Sequence, residues 1–404
     1  MDYNLKIKVG AVGIADILKF LNMPKAREKA IKNAPLKEVN GDFTINRKAK
    51  ALHPDCRKVF VEKIIDHNES DAKSFILKTA DGEKASFFRA GQYLSLQLKI
   101  GESLVTRPYS ISSSPAWAKD GKYAVTVRKT NGGFVSDYIL NNIKEGDELN
   151  ISDPQGTFYY EELRDPRNII AVAGGSGITP FLSMAYAIRD KIEDFNLSIL
   201  YGSKTENSIL FKKELDEICS VCDKVKVVHV LSDEQKDGYE HGFITAELIK
   251  KYAPDDYAVF ICGPEAMYKF VAAETEKLGL ESKNIRREML GVTKKIWDEP
   301  GYPQAVKGKV FDLKINQCGN VYEIKASADE PILTAIERAG INAPSRCRSG
   351  ECGWCRSKLV SGDVFTPTAN EYRRWADKEN GYIHPCCTFL LSDAEIEVPG
   401  SYMK

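Results

Sequence analysis

The hydrophobic pattern changes period several times along the chain, and each change marks an element class. Between residues 56 and 162, short stretches either alternate polar with apolar or run β-branched: KVFVEKIID, SFILKTA, QYLSLQLKI, YAVTVRKT and ELNISDP. DG, GE, DGK and NGG turns separate them, which predicts short strands. Many such strands at close spacing predict a closed antiparallel β-barrel. From 163 to 291 the rhythm becomes strand, glycine turn, helix: NIIAVAGG into SGITPFLSMAYAIRD, LSILYGS into ILFKKELDEI, then KVKVVHVLS, and YAVFICG into PEAMYKFVAAETEKLG. Strands alternating with helices predict βαβ units on a parallel sheet, an α/β domain.

Residues 292–307 are polar and carry two prolines, which predicts a linker. Over 308–404, VFDLKINQCGNVYEIKA reads as a hairpin, PILTAIERAG as a helix and AEIEVPG as a last strand, a small α+β domain. Residues 1–55 form a short helical N-terminal extension, with AVGIADILKFLNM at helical spacing and a charged stretch after it. A cap or a partner-docking element is the expectation there. No internal repeat is visible, so the chain reads as multidomain.

Size agrees: 404 residues exceed one ordinary core. Lys+Arg and Asp+Glu balance at 57 each, which removes a charge argument for nucleic acid or an acidic membrane surface. There is no run of 18 apolar residues, so no membrane span is expected. The first residues do not pattern as a signal peptide. Ten cysteines in such a chain suggest metal or redox chemistry in the cytoplasm rather than a disulfide framework.

Three of those cysteines stand in CRSGECGWC. Cys347, Cys352 and Cys355 have the C-x₄-C-x₂-C spacing of plant-type 2Fe–2S ligation. GYIHPCC then offers Cys386 or Cys387 as a fourth thiolate. Zinc is the rival, but its ribbons usually carry two C-x₂-C knuckles and this chain shows one. Ser349, Gly350 and Gly353 would let backbone amides face the sulfurs.

Two further groups of motifs precede the cysteine loop. RPYSISSSP at 107–115, expected to follow a strand of the barrel, offers an Arg for a phosphate, a Tyr to flank a flat ring and a Ser for its edge. GGFVSDYI at 132–139 offers two glycines and a hydroxyl for a pyrophosphate. AVAGGSGITPF at 171–181 is a strand, glycine turn and helix start suited to a diphosphate, although it is not G-x-G-x-x-G. YGSKTENSILF and FICGPEAM stand after later strands, where ligands sit in open α/β sheets. Cys219 and Cys222 form a C-x-x-C without companions, Cys56 and Cys318 stand alone, and the five histidines show no ligand spacing.

Together these motifs resemble the ferredoxin–NADP⁺ reductase superfamily over residues 56–404, with the last 95 or so residues similar to a plant-type ferredoxin, which implies a β-grasp fold for that domain. The resemblance implies that Arg107 and Pro108 lie at the flavin pyrophosphate, Tyr109 packs on the flavin and Ser110 reaches its reactive nitrogen. Gly132, Gly133, Val135 and Ser136 belong to a second phosphate loop, and the two motifs favour FAD over FMN. It places Gly174, Gly175, Gly177, Thr179 and Pro180 in the nicotinamide and diphosphate pocket, beside Cys262, Gly263 and Pro264. Cys262 would lie near the hydride path and Glu288 of REMLG near the flavin, with Leu290 replacing the usual aromatic residue. In ferredoxins the last ligand follows the G-Y run at a spacing that selects Cys386.

Lys204, after YGS, is a single cation where an adenosine 2′-phosphate would want a cluster, so NADH is favoured over NADPH. The expected function is electron transfer from NAD(P)H through FAD and a 2Fe–2S cluster to an external metalloprotein: an oxygenase, a hybrid-cluster protein or another redox enzyme. The alternatives are a self-contained oxidoreductase acting on a small molecule, and a redox-sensing electron-storage module.

Overall fold

The computed structural model describes residues 13–33, 43–52, 54, 56–79, 85–130, 132–288, 291 and 295–400. It divides into two compact units, Met1–Ala49 and Lys50–Lys404. In the first, Ile14–Asn33 is one helix with Pro24 inside it and no buried residue. The expected helical extension is present, and its apolar side chains face outward.

Among the described residues, the second unit holds three large sheets and a two-stranded one, Val364–Phe365 with Phe389–Leu390. Six antiparallel strands, from Arg57–His67 to Glu148–Ile151, form the first, and a bridge from Ile111 to Val125 ties one edge to the other. The sheet is thereby closed. Alternate positions such as Val59, Val61, Phe75, Leu77, Val125 and Val127 fill its interior, as the period of two requires. The RPYS motif does not follow a strand, as the sequence suggested; it is the end of one, Ser103–Ser110. That strand lies at the seam, where Pro108 removes no central ladder bond.

The second sheet is wholly parallel. Its order is Glu240–His241, Val225–Leu231, Asn196–Ser203, Asn168–Gly174, Ala258–Cys262, Ile285–Glu288. Chain order reverses on either side of Asn168–Gly174, so the carboxyl ends of this strand and Ala258–Cys262 open a switch-point crevice. Phe158, after the barrel, packs on Phe181 and Phe260 with ring centroids 5.7 and 5.3 Å apart. Arg286 donates twice to the buried Asp165, at 2.9 and 2.6 Å. Barrel and parallel sheet therefore share a core.

The third sheet runs Asn320–Ser327, Val310–Gln317, Ala394–Glu397, Ser357–Ser361, Tyr382–Ile383, with the helix Ile332–Arg338 packed on it. The stretch expected to be a polar linker is only partly one. Ile296 and Tyr302 are buried against Phe389 and Phe365, so apolar contacts anchor this segment to the third sheet. Among the described residues, no helix is long and apolar enough to cross a membrane.

Candidate functional site

The end of Ser103–Ser110 places three candidate side chains in sequence. Arg107 Nη1 donates to the Thr106 carbonyl (2.9 Å) and to Glu337 Oε2 (3.2 Å), while its Nε and Nη2 make no hydrogen bond among the described residues. Burial and neighbouring Arg348 push the Arg107 pKa down, and Glu337 opposes them. Tyr109 is half-buried against the barrel core. Ser110 is buried opposite Tyr93, and its hydroxyl has no partner among the described residues.

Gly132 takes a positive φ of 66°, and Gly133 caps the helix Phe134–Asn142. A Cβ on Gly133 would stand 2.1 Å from Ser136 Oγ. The helix start therefore closes only on a bare backbone, leaving amides at the turn. Val135, expected in this phosphate loop, instead sends its side chain into the barrel core. Ser136 Oγ donates to the Gly133 carbonyl at 3.4 Å.

The switch-point crevice is built by close backbone approach. A Cβ on Gly177 would lie 2.1 Å from the Cys262 carbonyl oxygen. Gly175 adopts φ 53°, its carbonyl accepts from the Tyr201 hydroxyl (3.0 Å), and Thr179 Oγ1 donates to the Ser176 carbonyl (3.0 Å). Pro180 sits in the first turn of Thr179–Arg189, where no N–H is needed. Gly174 and Gly263 both border Met267, and Pro264 precedes the helix Glu265–Glu276. A cavity of about 650 Å³ opens here, lined among others by Arg128, Gly174, Gly175, Ser203, Lys204 and Pro264. Arg128 points at the glycine turn: a Cβ on Gly175 would be 2.7 Å from its Nη1.

Cys262 and Glu288 are register partners at the ends of adjacent strands. Burial, with Glu288 adding to it, drives the Cys262 thiol far above its ordinary value, against a hydrogen bond with the Tyr268 hydroxyl. The Tyr268 hydroxyl also accepts from Gly263 N–H (3.2 Å) and donates to the Glu288 carbonyl. One phenol thus ties both strand ends together. Burial holds the Glu288 carboxyl well above the usual carboxylate range, with Glu351 and Cys347 adding to it. It lines a cavity of about 430 Å³ together with Glu351 and Tyr372. Leu290 lies outside the described residues.

That raised pKa has a consequence for stability. Between the unfolded-state value near 4.5 and the higher folded-state value, the unfolded chain releases a proton that the folded chain keeps. Rising pH therefore favours unfolding through this group. Glu288→Gln, which cannot ionise, is expected to gain stability relative to the natural protein as pH climbs past the carboxylate range. Urea midpoints across a pH series check this; a constant difference between the two proteins would contradict it.

In the cysteine loop, Cys347, Cys355 and Cys386 are buried. Amides of Ser349 and Cys352 donate to Cys347 Sγ, and that of Trp354 to Cys352 Sγ, each at 3.4 Å. Arg348, Gly350 and Gly353 take positive φ (58°, 88° and 67°), which turns the loop around its sulfurs. Cys386 faces Cys347 and Cys355. The Cys387 thiol instead donates to the carbonyls of His384 (3.5 Å) and Asn370 (3.6 Å). His384 Nδ1 meets the Gly350 carbonyl at 2.6 Å and braces the loop.

Among the described residues, no three His, Cys, Asp or Glu converge as ligands of a single ion. A two-iron cluster shares its four thiolates between two metals. Amide-rich sulfurs and an enveloping loop fit that group.

Sequence reading missed Tyr268, Met267 and Arg128. Only Arg128 left a signal, as a cation at the end of a strand. Cys219 and Cys222 remain free thiols at a helix end.

Comparison with known families assigns residues 61–160 to the oxidoreductase FAD-binding domain, 171–273 to the oxidoreductase NAD-binding domain and 315–391 to the 2Fe–2S iron–sulfur cluster binding domain. The chain is 25% identical over 342 residues to a glycine betaine monooxygenase reductase subunit of Chromohalobacter salexigens, covering 81% of this chain and 91% of that one. It is 31% identical over 245 residues to NADH-cytochrome b5 reductase 1 of Dictyostelium discoideum, covering 58% and 83%. Among solved structures, a phthalate dioxygenase reductase matches with TM-score 0.62 and 25% identity, over 85% of this chain and 98% of that one.

Proposed function

Because the chain belongs to the ferredoxin–NADP⁺ reductase family and ends in a 2Fe–2S domain, we propose that it takes electrons from NAD(P)H and delivers them singly to an external oxygenase component. Bound FAD supplies the conversion from a two-electron hydride to single electrons, and the cluster a one-electron relay. The observation that carries the reading is the cavity shared by Glu288 and Glu351, where the strand ends of the parallel sheet meet the cysteine loop.

The residues divide the labour. Arg107 offers its free guanidinium edge to the flavin diphosphate, with the turn at Gly132 and Gly133 beside it. Tyr109 flanks the ring, and the unpartnered Ser110 hydroxyl is available to its edge. Gly174, Gly175, Gly177, Thr179 and Pro180 shape the nicotinamide side, where Arg128 supplies charge for the dinucleotide phosphates. Cys262, Gly263 and Pro264 border the reacting ring, and Glu288 presents its buried carboxyl beside them. Cys347, Cys352, Cys355 and Cys386 hold the cluster. Lys204 is the one cation after Ser203 on the cavity lining, which supports NADH as the preferred donor. The ten cysteines form no disulfide among the described residues, which suits the reducing cytoplasm. Reductase relatives of oxygenases favour such a partner over a hybrid-cluster protein.

Anaerobic mixing with NADH, then NADPH, in stopped flow tests the reading. Flavin absorbance is expected to bleach first and cluster absorbance second, faster with NADH. Failure of both nucleotides to bleach the flavin would favour an electron-storage module instead.

A further inference from the structure

Glu337 sits in the last turn of the helix Ile332–Arg338, where a carboxylate opposes the helix dipole. It is also only 3% exposed. Neither position favours a charge, so its partners must hold it there. Three donors do so: the Thr106 amide (3.2 Å), Arg107 Nη1 (3.2 Å) and Arg348 Nη1 (2.6 Å). Two belong to the strand that ends in RPYS. The third follows Cys347 directly.

Arg348 is itself unusual. It holds φ 58°, a region costly for a non-glycine residue, and its Nη2 is fixed by Thr334 Oγ1 at 3.1 Å. This backbone turn sends the guanidinium away from the sulfurs and onto Glu337. Arg107 and Arg348 would repel each other without the carboxylate between them. Two contacts flank the triad. A Cβ on Gly340 would lie 2.8 Å from the Glu102 carbonyl oxygen, and Thr157 Oγ1 donates to Glu351 at 3.2 Å.

We propose that Glu337 is a positioning residue: it clamps the flavin strand to the cluster loop through Arg107 and Arg348 and so fixes the separation across which single electrons pass. This rests on the electron route proposed above. The clamp also leaves the second edge of Arg107 open, so it orients that side chain without occupying it. In the step concerned, one electron leaves the reduced flavin and one iron of the oxidised cluster accepts it; no bond is made or broken by Glu337.

The test uses the full-length, cofactor-loaded protein and two substitutions. Glu337→Gln removes the charge and turns an amide toward two guanidiniums. Arg348→Gly removes one guanidinium and suits the left-handed backbone, so it keeps the test open if the first variant folds poorly. Hydrogen exchange is expected to rise in both Ser103–Ser110 and Ile332–Arg338. In stopped flow with NADH, flavin bleaching is expected to keep its rate. Cluster bleaching is expected to slow several-fold, as the two groups separate.

Unchanged cluster bleaching in both variants, or equal slowing of both phases, would overturn the clamp. A natural protein whose cluster never bleaches after its flavin would instead overturn the route beneath it.

Discussion

Cys386→Ser is expected to give a folded flavoprotein that contains no 2Fe–2S cluster, whereas Cys387→Ser keeps it. The two thiols are adjacent and equally hidden from solvent, so burial does not separate them. Their partners do. Cys386 faces two of the loop sulfurs, and Cys387 donates its proton to two backbone carbonyls. Cys387 Sγ also fills the space beside Gly350, where an added Cβ would come within 2.7 Å of it. Its role is to pack the loop. Iron and acid-labile sulfide analysis, with the visible spectrum, distinguishes the two. In Cys386→Ser, NADH still bleaches the flavin and no electron reaches the acceptor. Loss of iron in the Cys387 variant alone would reverse the assignment.

Gly177→Ala is expected to cripple hydride transfer while leaving FAD bound. The added methyl would meet the Cys262 oxygen at 2.1 Å, the Cys262 carbon at 2.4 Å and the Gly263 nitrogen at 2.6 Å. All three are backbone, so no side-chain rotation relieves the clash. Overpacking of this kind costs about 1–3 kcal/mol. The strand end must move instead, taking Cys262 with it. A shift of about 1 Å there would slow flavin reduction at saturating NADH on the order of 10²-fold. Gly132→Ala is the contrast: its Cβ meets nothing, and only the positive φ resists it. An unchanged flavin-reduction rate in Gly177→Ala would mean that the Cys262 loop does not border the reacting ring.

Much of this architecture was legible because it is local. Alternating strands bounded by DG and NGG turns, the strand–glycine–helix rhythm and the cysteine spacing each carry their meaning within a few residues. The RPYS motif was placed one step late because its proline reads as a turn, whereas a seam strand tolerates it. The supposed linker misled for the opposite reason: Ile296 and Tyr302 are isolated apolar residues among polar ones, and only Phe365 and Phe389 reveal their use.

What stayed hidden is non-local. Arg107 and Glu337 lie 230 positions apart. Tyr268 looks like one more apolar position on a helix until its hydroxyl is seen joining Cys262, Gly263 and Glu288. No periodicity encodes such a pairing.

The buried thiol of Cys262 also bears on how such a protein wears. Peroxides and electrophiles attack thiolates, and burial keeps this sulfur protonated. The cysteine at the end of Ala258–Cys262 is therefore carried in its least oxidisable form. Damage should fall first on exposed sulfur such as Cys318, at the turn between Val310–Gln317 and Asn320–Ser327.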